Sequence, residues 1–399
     1  MKQPPLRTPD RLDVPMARRQ TLRNGVELHT LPDDEFEVLR LSFVFRAGSA
    51  VQRVPFSASS TANLLSEGSR DMDAQQIAEK LDFYGSYYDV NVDRDYVYLS
   101  FCSLSKFFLP TLEVAERILL GPVFPEDEVD AYRRKRKQRL AIERLKVDTK
   151  AREALAQALF GERHPYGISY NEAAYDTLTR EDLADMYRTH YTAGNCLAVC
   201  SGNITDAHLQ AIVALAERLP RGGERLRSSF PDPVTQSRRF VHTPDAVQSS
   251  IRLGRLLFTR EHPDFVPMQV VAAALGGYFG SRLMSNLRER NGYTYGVAAA
   301  MVNFERAGYF AVATQTGAEV TDAALREIYA EIERLRREPM PAEELQTVKN
   351  ILIGEMMRVL DGPFGIADVT IENALCGMDN GVICLLYTSD AADDLTRVD

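Results

Sequence analysis

Leu112–Glu128 reads LEVAERILLGPVFPEDE, and Leu325–Glu344 reads LREIYAEIERLRREPMPAEE. Each stretch carries apolar residues at helical spacing, meets a proline, and restarts with acidic residues. Negative charge there suits the N-terminus of a new helix. The junction is Pro125-Glu126-Asp127-Glu128 in the first stretch and Pro341-Ala342-Glu343-Glu344 in the second. Two such junctions about half a chain apart predict an internal duplication, and with it two homologous α/β domains.

The same order of signals extends outward from both junctions. In the first half, strands are predicted at Val26–Thr30, Leu39–Phe45 and Tyr96–Phe101. Helices are predicted at Ala74–Tyr84, Leu112–Leu120, Glu126–Leu145 and Lys150–Phe160. Asp73 can cap the first of these helices with Gln76 as its capping-box partner, Ile77, Leu81 and Tyr84 form its stripe, and Gly85 ends it. After a turn at His164-Pro165-Tyr166-Gly167 come a helix at Glu181–Tyr191, a strand at Cys196–Ser201 and a helix at His208–Arg218. In the second half, Ser250–Phe258, Tyr295–Val302 and Tyr309–Thr314 read as strands. Val266–Ala274, Arg282–Arg290, Asp322–Arg336 and Ala342–Val359 read as helices. The expected layout is an arm at 1–20, a first domain at 21–218, a linker at 219–237 and a second domain at 238–383. Residues 384–399 resemble translated adapter sequence and are set aside as a non-native tail.

Composition narrows the function. The chain has 399 residues, 45% hydrophobic and 26% charged, enough for sizeable cores. A net charge of −9 and a pI near 5.4 argue against a general nucleic-acid binder, which needs a basic surface to neutralise phosphates. The five cysteines, Cys102, Cys196, Cys200, Cys376 and Cys384, are odd in number and form no Cys-x-x-Cys, which suits free thiols in a reducing compartment. The start, MKQPPLRTPDRLDVP, has no apolar h-region, and no run reaches the roughly 18 apolar residues of a membrane helix. A cytoplasmic protein without membrane or nucleic-acid partners is the expectation.

Several motifs read as structural. Gly276-Gly277-Tyr278-Phe279-Gly280 lacks the spacing of a phosphate loop and is expected to connect two helices tightly. Arg133-Arg134-Lys135-Arg136-Lys137 sits in a long helix with acidic flanks and is expected to be a solvated face. None of the six histidines has a second one at i+2, i+3 or i+4, so no single-helix zinc site is supported. Ser281–Val297, SRLMSNLRERNGYTYGV, reads as a helix, an Asn-Gly stop and a strand carrying Tyr293 and Tyr295. A reversal at Asn291-Gly292 can aim Arg288 and Tyr295 into one cleft. Alternatively, Arg288 complements the helix end and Tyr295 packs in the sheet. On physics alone the second reading is the stronger.

The segment GSRLMSNLRERNGYTYGV resembles the C-terminal-domain motif of the insulinase-like (M16) metallopeptidase family, in which an Arg and a Tyr with the spacing of Arg288 and Tyr295 contact substrate. The resemblance extends over roughly residues 20–380 through LRNGVEL, FRAGSA, the His-Pro-Tyr-Gly turn and the duplicated halves. It implies an α+β fold, each domain an antiparallel sheet with helices on one side, closing as a clam-shell with a partner subunit. Active members carry H-x-x-E-H on an early helix and a distal Glu about 75 residues on, for zinc and its water. Judged from Leu64-Leu65-Ser66-Glu67-Gly68, the matching stretch here is Ser59-Ser60-Thr61-Ala62-Asn63. Ser59, Ala62 and Asn63 replace the functional residues, and Lys137-Gln138-Arg139-Leu140 supplies no distal carboxylate; Glu143 lies nearby with nothing to complete.

The family includes split pairs, in which one subunit holds zinc and the other supplies the Arg/Tyr pair. The resemblance therefore implies a chain without its own cofactor. Its partner is a homologous zinc-bearing subunit, and its substrate is an unfolded or short peptide. A catalytically inactive structural or peptide-binding homologue is the alternative.

Overall fold

The computed structural model describes residues 14–223 and 230–383. The fold is mixed α+β with antiparallel pairing dominant, divided into two compact units. One unit is Arg18–Arg255 with Gln315–Ala318. The other is Leu256–Thr314 and Glu319–Asp399 with Met1–Ala17.

The first unit runs β1 (Arg18–Thr21), β2 (Glu27–Pro32), β3 (Val38–Phe45), α1 (Ser57–Leu64), α2 (Ala74–Phe83), β4 (Tyr87–Val92) and β5 (Val97–Leu104). It continues through α3 (Phe108–Leu120), α4 (Glu126–Glu143), α5 (Val147–Phe160), α6 (Arg180–His190), β6 (Cys196–Gly202) and α7 (Asp206–Ala216). The six-stranded sheet has the order β1-β2-β6-β3-β5-β4. Its last strand in sequence is a central strand in space. β6 lies parallel to β2, with His29 beside Val199, and antiparallel to β3, with Leu41 beside Cys200.

Every residue of β6 is buried, which explains its unbroken small and apolar sequence. Along β5, Val97, Leu99, Phe101 and Ser103 are buried and the alternate residues are not, the two-residue period of a strand with one face on the core. Phe43, Phe45, Phe101 and Phe108 are fully buried and anchor that core with α3, α6 and α7 residues. Truncating one such ring to alanine costs about 3–5 kcal/mol. Cys196 and Cys200 are buried among these side chains as free thiols.

Local signals set the helix starts. Asp73 and Gln76 form the expected capping box, and Thr179/Asp182 and Thr205/His208 form two more. α4 starts after Pro125 with three acidic residues in its first turn. Its basic run differs from the expected solvated face. Arg133 donates to the carbonyls of Tyr175 and Asp176, and Lys137 holds the Asp176 carboxylate at 2.6 Å. The run clamps the short 3-10 turn Glu172–Asp176, while Arg134 and Lys135 remain exposed.

In the second half, β7 (Gln248–Leu257), α8 (Phe265–Ala272), the helix Arg282–Arg290, β8 (Val297–Asn303), β9 (Gly308–Gly317), α9 (Thr321–Arg337), α10 (Ala342–Val359) and α11 (Gly362–Leu375) repeat the order seen from β3 to α5. The three-stranded sheet has the order β7-β9-β8, and the division between the units falls within β7 and β9. β8 and β9 are antiparallel from Val297↔Thr314 to Asn303↔Gly308. α10 begins after Pro341 with Glu343 and Glu344 in its first turn, so both junctions that announce the duplication are helix starts. No helix of the described residues is long and apolar enough to cross a membrane. The non-native tail expected at 384–399 lies outside the described residues.

Candidate functional site

In the first unit, Ser59–Asn63, the stretch that the resemblance sets against the metal motif, lies in α1. Ala62 is fully buried and carries no donor. The Ser59 hydroxyl donates to the Phe56 carbonyl at 3.3 Å, and the Asn63 amide donates to the Ser59 carbonyl at 2.7 Å, so both polar side chains turn back on their own helix. A zinc site needs imidazole, thiolate or carboxylate donors converging on one point. These three residues do not fit that ion. Among the described residues, no group of three or more His, Cys, Asp or Glu is arranged to hold a metal.

Aromatic packing occupies the flank of α1. Phe56 enters the helix at φ 64°, a left-handed conformation rare for an aromatic residue, and stacks on Tyr175 at 4.2 Å between ring centroids. Tyr132, from α4, places its hydroxyl 3.5 Å from the Ser59 carbonyl and lies under the Arg136 guanidinium. Burial pushes the Tyr132 phenol up to about 12, so it is neutral at physiological pH. Burial and then Glu128 raise the Glu67 carboxyl above its ordinary range, with Lys135 opposing.

The second unit holds Arg288 and Tyr295. The helix Arg282–Arg290 widens to π-helical bonding from Met284 onward. Its end explains the widening. Asn291 donates its backbone N–H to the Asn286 carbonyl, five residues back, and its side-chain amide to the Asn286 carbonyl at 3.0 Å and Oδ1 at 2.7 Å. Gly292 then adopts φ 64°, and Tyr293 N–H reaches back to the Leu287 carbonyl at 2.8 Å. The expected Asn-Gly stop is thus a glycine-dependent helix end.

Buried charge fixes this helix. Asn286 donates to Glu327 at 2.9 Å and to Glu331 at 2.7 Å, both on α9. Arg282 makes a two-pronged pair with Glu344 of α10, both bonds at 2.7 Å, and these bonds hold its guanidinium above the usual range. Past Gly292, Gly296 N–H and carbonyl both engage the Thr294 hydroxyl, and Thr314 on β9 bonds the same hydroxyl at 2.9 Å and the Gly296 carbonyl at 2.9 Å. This pinned loop holds Tyr295 outward with 93% of its surface exposed.

Arg288 and Tyr295 therefore occupy the end of one helix and the loop after it, and both are exposed. The reading that packs Tyr295 in the sheet is set aside, because β8 begins only at Val297. Tyr293, expected on the same strand face as Tyr295, is instead half-buried at the helix end. Among the described residues the Arg288 side chain has no hydrogen bond or ion pair, and its guanidinium lies 4.6 Å over the Phe279 ring. Phe279 carries no functional motif in the sequence. Its only signal is an aromatic pair enclosed by Gly277 and Gly280.

Comparison with known proteins agrees with this architecture at the level of fold. The family described as "Peptidase M16 inactive domain" matches residues 177–352. An "uncharacterized zinc protease YmxG" of Bacillus subtilis is 20% identical over 354 residues, 87% of this chain and 85% of that protein. A "non-peptidase homolog YmxG" of Helicobacter pylori is 20% identical over 299 residues, covering 73% of this chain and 68% of that one. Among solved structures, a peptidase M16 inactive domain from Pseudomonas fluorescens superposes with a TM-score of 0.84 at 22% identity, covering 96% of this chain and 95% of that chain. These matches give the chain its fold, and over residues 177–352 it is similar to the M16 inactive-domain family.

Proposed function

We propose that this chain is the zinc-less subunit of a two-subunit M16-type peptidase, lending Arg288 and Tyr295 to substrate held at the zinc of a homologous H-x-x-E-H partner. The observation that carries the reading is the presentation of these two side chains. Both are exposed on a scaffold fixed by the half-buried Arg282–Glu344 ion pair and the buried Asn286–Glu331 hydrogen bond, and the Arg288 donors are uncommitted among the described residues.

Hydrolysis of a peptide bond places negative charge on the carbonyl oxygen in the transition state. The partner's zinc supplies Lewis acidity there. The Tyr295 phenol adds an O–H donor aimed at that oxygen. The Arg288 fork holds backbone carbonyls of an extended peptide and sets its register. Free thiols among the described cysteines suit a reducing compartment such as the cytoplasm.

The test is co-purification with an H-x-x-E-H homologue, followed by cleavage of an unstructured peptide. Neither chain cleaves alone, and the pair does. Tyr295→Phe lowers kcat of the pair by about 10²–10³ without disturbing assembly, and Tyr293→Phe does not. Metal-dependent cleavage by this chain alone refutes the division of labour, and a silent Tyr295→Phe refutes the residue assignment.

A specific observation favours a second reading, a catalytically inactive peptide-binding or structural homologue. The flank of α1 is filled by Phe56, Tyr132 and Tyr175, and the Helicobacter pylori relative is described as a non-peptidase. On that reading every pairing is inactive, and Tyr295→Phe changes nothing.

A further inference from the structure

We infer that Phe279 is the positioning residue for Arg288, holding its guanidinium flat so that its donor edge faces an extended peptide. The inference rests on the proposed peptide-binding role of Arg288 and deepens it.

Phe279 is a large aromatic side chain left 60% exposed, on a loop that leaves it little freedom. Ser281 N–H bonds the Tyr278 carbonyl at 3.1 Å and closes a turn with Phe279 at its outer corner. A Cβ at position 280 would meet the Tyr278 ring at 2.9 Å, so Gly280 lets that ring fold under the turn. The half-buried Arg282–Glu344 pair holds the helix that follows. Phe279 and Arg288 thus approach each other from the two ends of one braced segment, and the guanidinium settles 4.6 Å over the ring.

The chemistry of that contact selects a role. A guanidinium stacks through its flat face, and its five N–H groups point outward in its plane. Stacking therefore leaves every donor available. A salt bridge consumes them, as in Arg282 and Arg334 of the same unit. Arg288 also lies in the last turn of a helix, where a free cationic side chain folds back onto the terminal carbonyls. The Phe279 ring competes with that collapse. It orders a flexible side chain before substrate arrives, which lowers the entropy cost of binding. Fixed, coplanar donors on an exposed arginine suit the backbone carbonyls of an uncharged extended peptide.

The test is a double-mutant cycle on the full purified chain, read by fluorescence anisotropy with a fluorescein-labelled, uncharged, unstructured peptide. Arg288→Ala weakens binding by about tenfold or more, as loss of charge-assisted hydrogen bonds does. Phe279→Ala weakens it by about 2- to 5-fold, the range of an exposed cation–π contact. Phe279→Leu behaves like Phe279→Ala, and Phe279→Tyr retains wild-type affinity. The decisive arm is Phe279→Ala on the Arg288→Ala background, where no further loss is expected because the ring acts through the arginine. If Phe279→Ala is silent while Arg288→Ala weakens binding, or if the two losses add, the inference fails and the role of Arg288 stands. If Arg288→Ala is itself silent, the peptide-binding role of Arg288 fails, and the inference falls with it.

Discussion

Substitution of Asn286 should be among the most damaging single changes in the second unit, and its cost can be worked from the contacts. Asn286 is buried; its amide donates to Glu331 at 2.7 Å and Glu327 at 2.9 Å, and its Oδ1 accepts from Asn291 at 2.7 Å. Glu331 is only 2% exposed, and its other partner, Arg334, stands 3.2 Å away with a half-exposed side chain. A hydrogen bond to a charged group contributes about 1.5–3 kcal/mol, and orphaning a buried charge costs about 3–5 kcal/mol. Arg334 keeps Glu331 partly compensated, so Asn286→Ala should cost about 3–4 kcal/mol. Asn286→Asp should cost more, because it sets a carboxylate against Glu327 and Glu331. That order, Asp worse than Ala, separates an electrostatic role from simple packing. Urea unfolding followed by far-UV circular dichroism measures it, since the chain has no tryptophan to report by fluorescence. A loss below about 1 kcal/mol for Asn286→Ala, or an Asp variant as stable as the Ala variant, would refute the reasoning.

Three further outcomes follow from the same contacts. Burial lowers the pKa of His29, His164 and His190, with Arg19 adding to the effect at His29 and Arg53 at His190. The folded chain keeps them neutral and the unfolded chain protonates them near pH 6.5, so their stabilisation is full above that pH and is lost as pH falls below it. Urea midpoints should drop between about pH 7.5 and 5.5, and a His29→Gln, His164→Gln, His190→Gln variant should flatten the drop. Elemental analysis of the purified chain should show no stoichiometric zinc; one tightly bound ion per chain would overturn the account of α1. Gly292→Ala should cost about 1–2 kcal/mol, because φ 64° crowds a Cβ, with a matching loss of peptide affinity from the loosened loop.

Features encoded within one turn of chain were legible in the sequence. The Asp73/Gln76 box, the Pro125 and Pro341 helix starts and the Asn291-Gly292 stop each involve groups a few residues apart, so local chemistry decides them. The order of strands was not legible. The place of β6 between β2 and β3 depends on pairing across more than 150 residues, which no window of sequence contains. The basic run of α4 looked solvated because its partners, Tyr175 and Asp176, lie about 40 residues away. At the candidate site, the spacing of Arg288 and Tyr295 could be read directly. The π-helical widening could not, because it depends on side-chain bonds from Asn291 to Asn286, and neither could the contact of Arg288 with the Phe279 ring.

The central position of β6 also bears on how the chain comes off the ribosome. β2 and β3 are complete by residue 45, yet each keeps an unsatisfied edge until Cys196–Gly202 is made and slides between them. At ordinary synthesis rates that wait is roughly 10–30 s. During it, Leu28, Leu39, Leu41 and Phe43 stand in strands that each still lack the partner on one side. The nascent first half is therefore a natural client for chaperones that shield open strand edges, and a ribosome stalled between residues 45 and 196 holds a chain unable to close its own core.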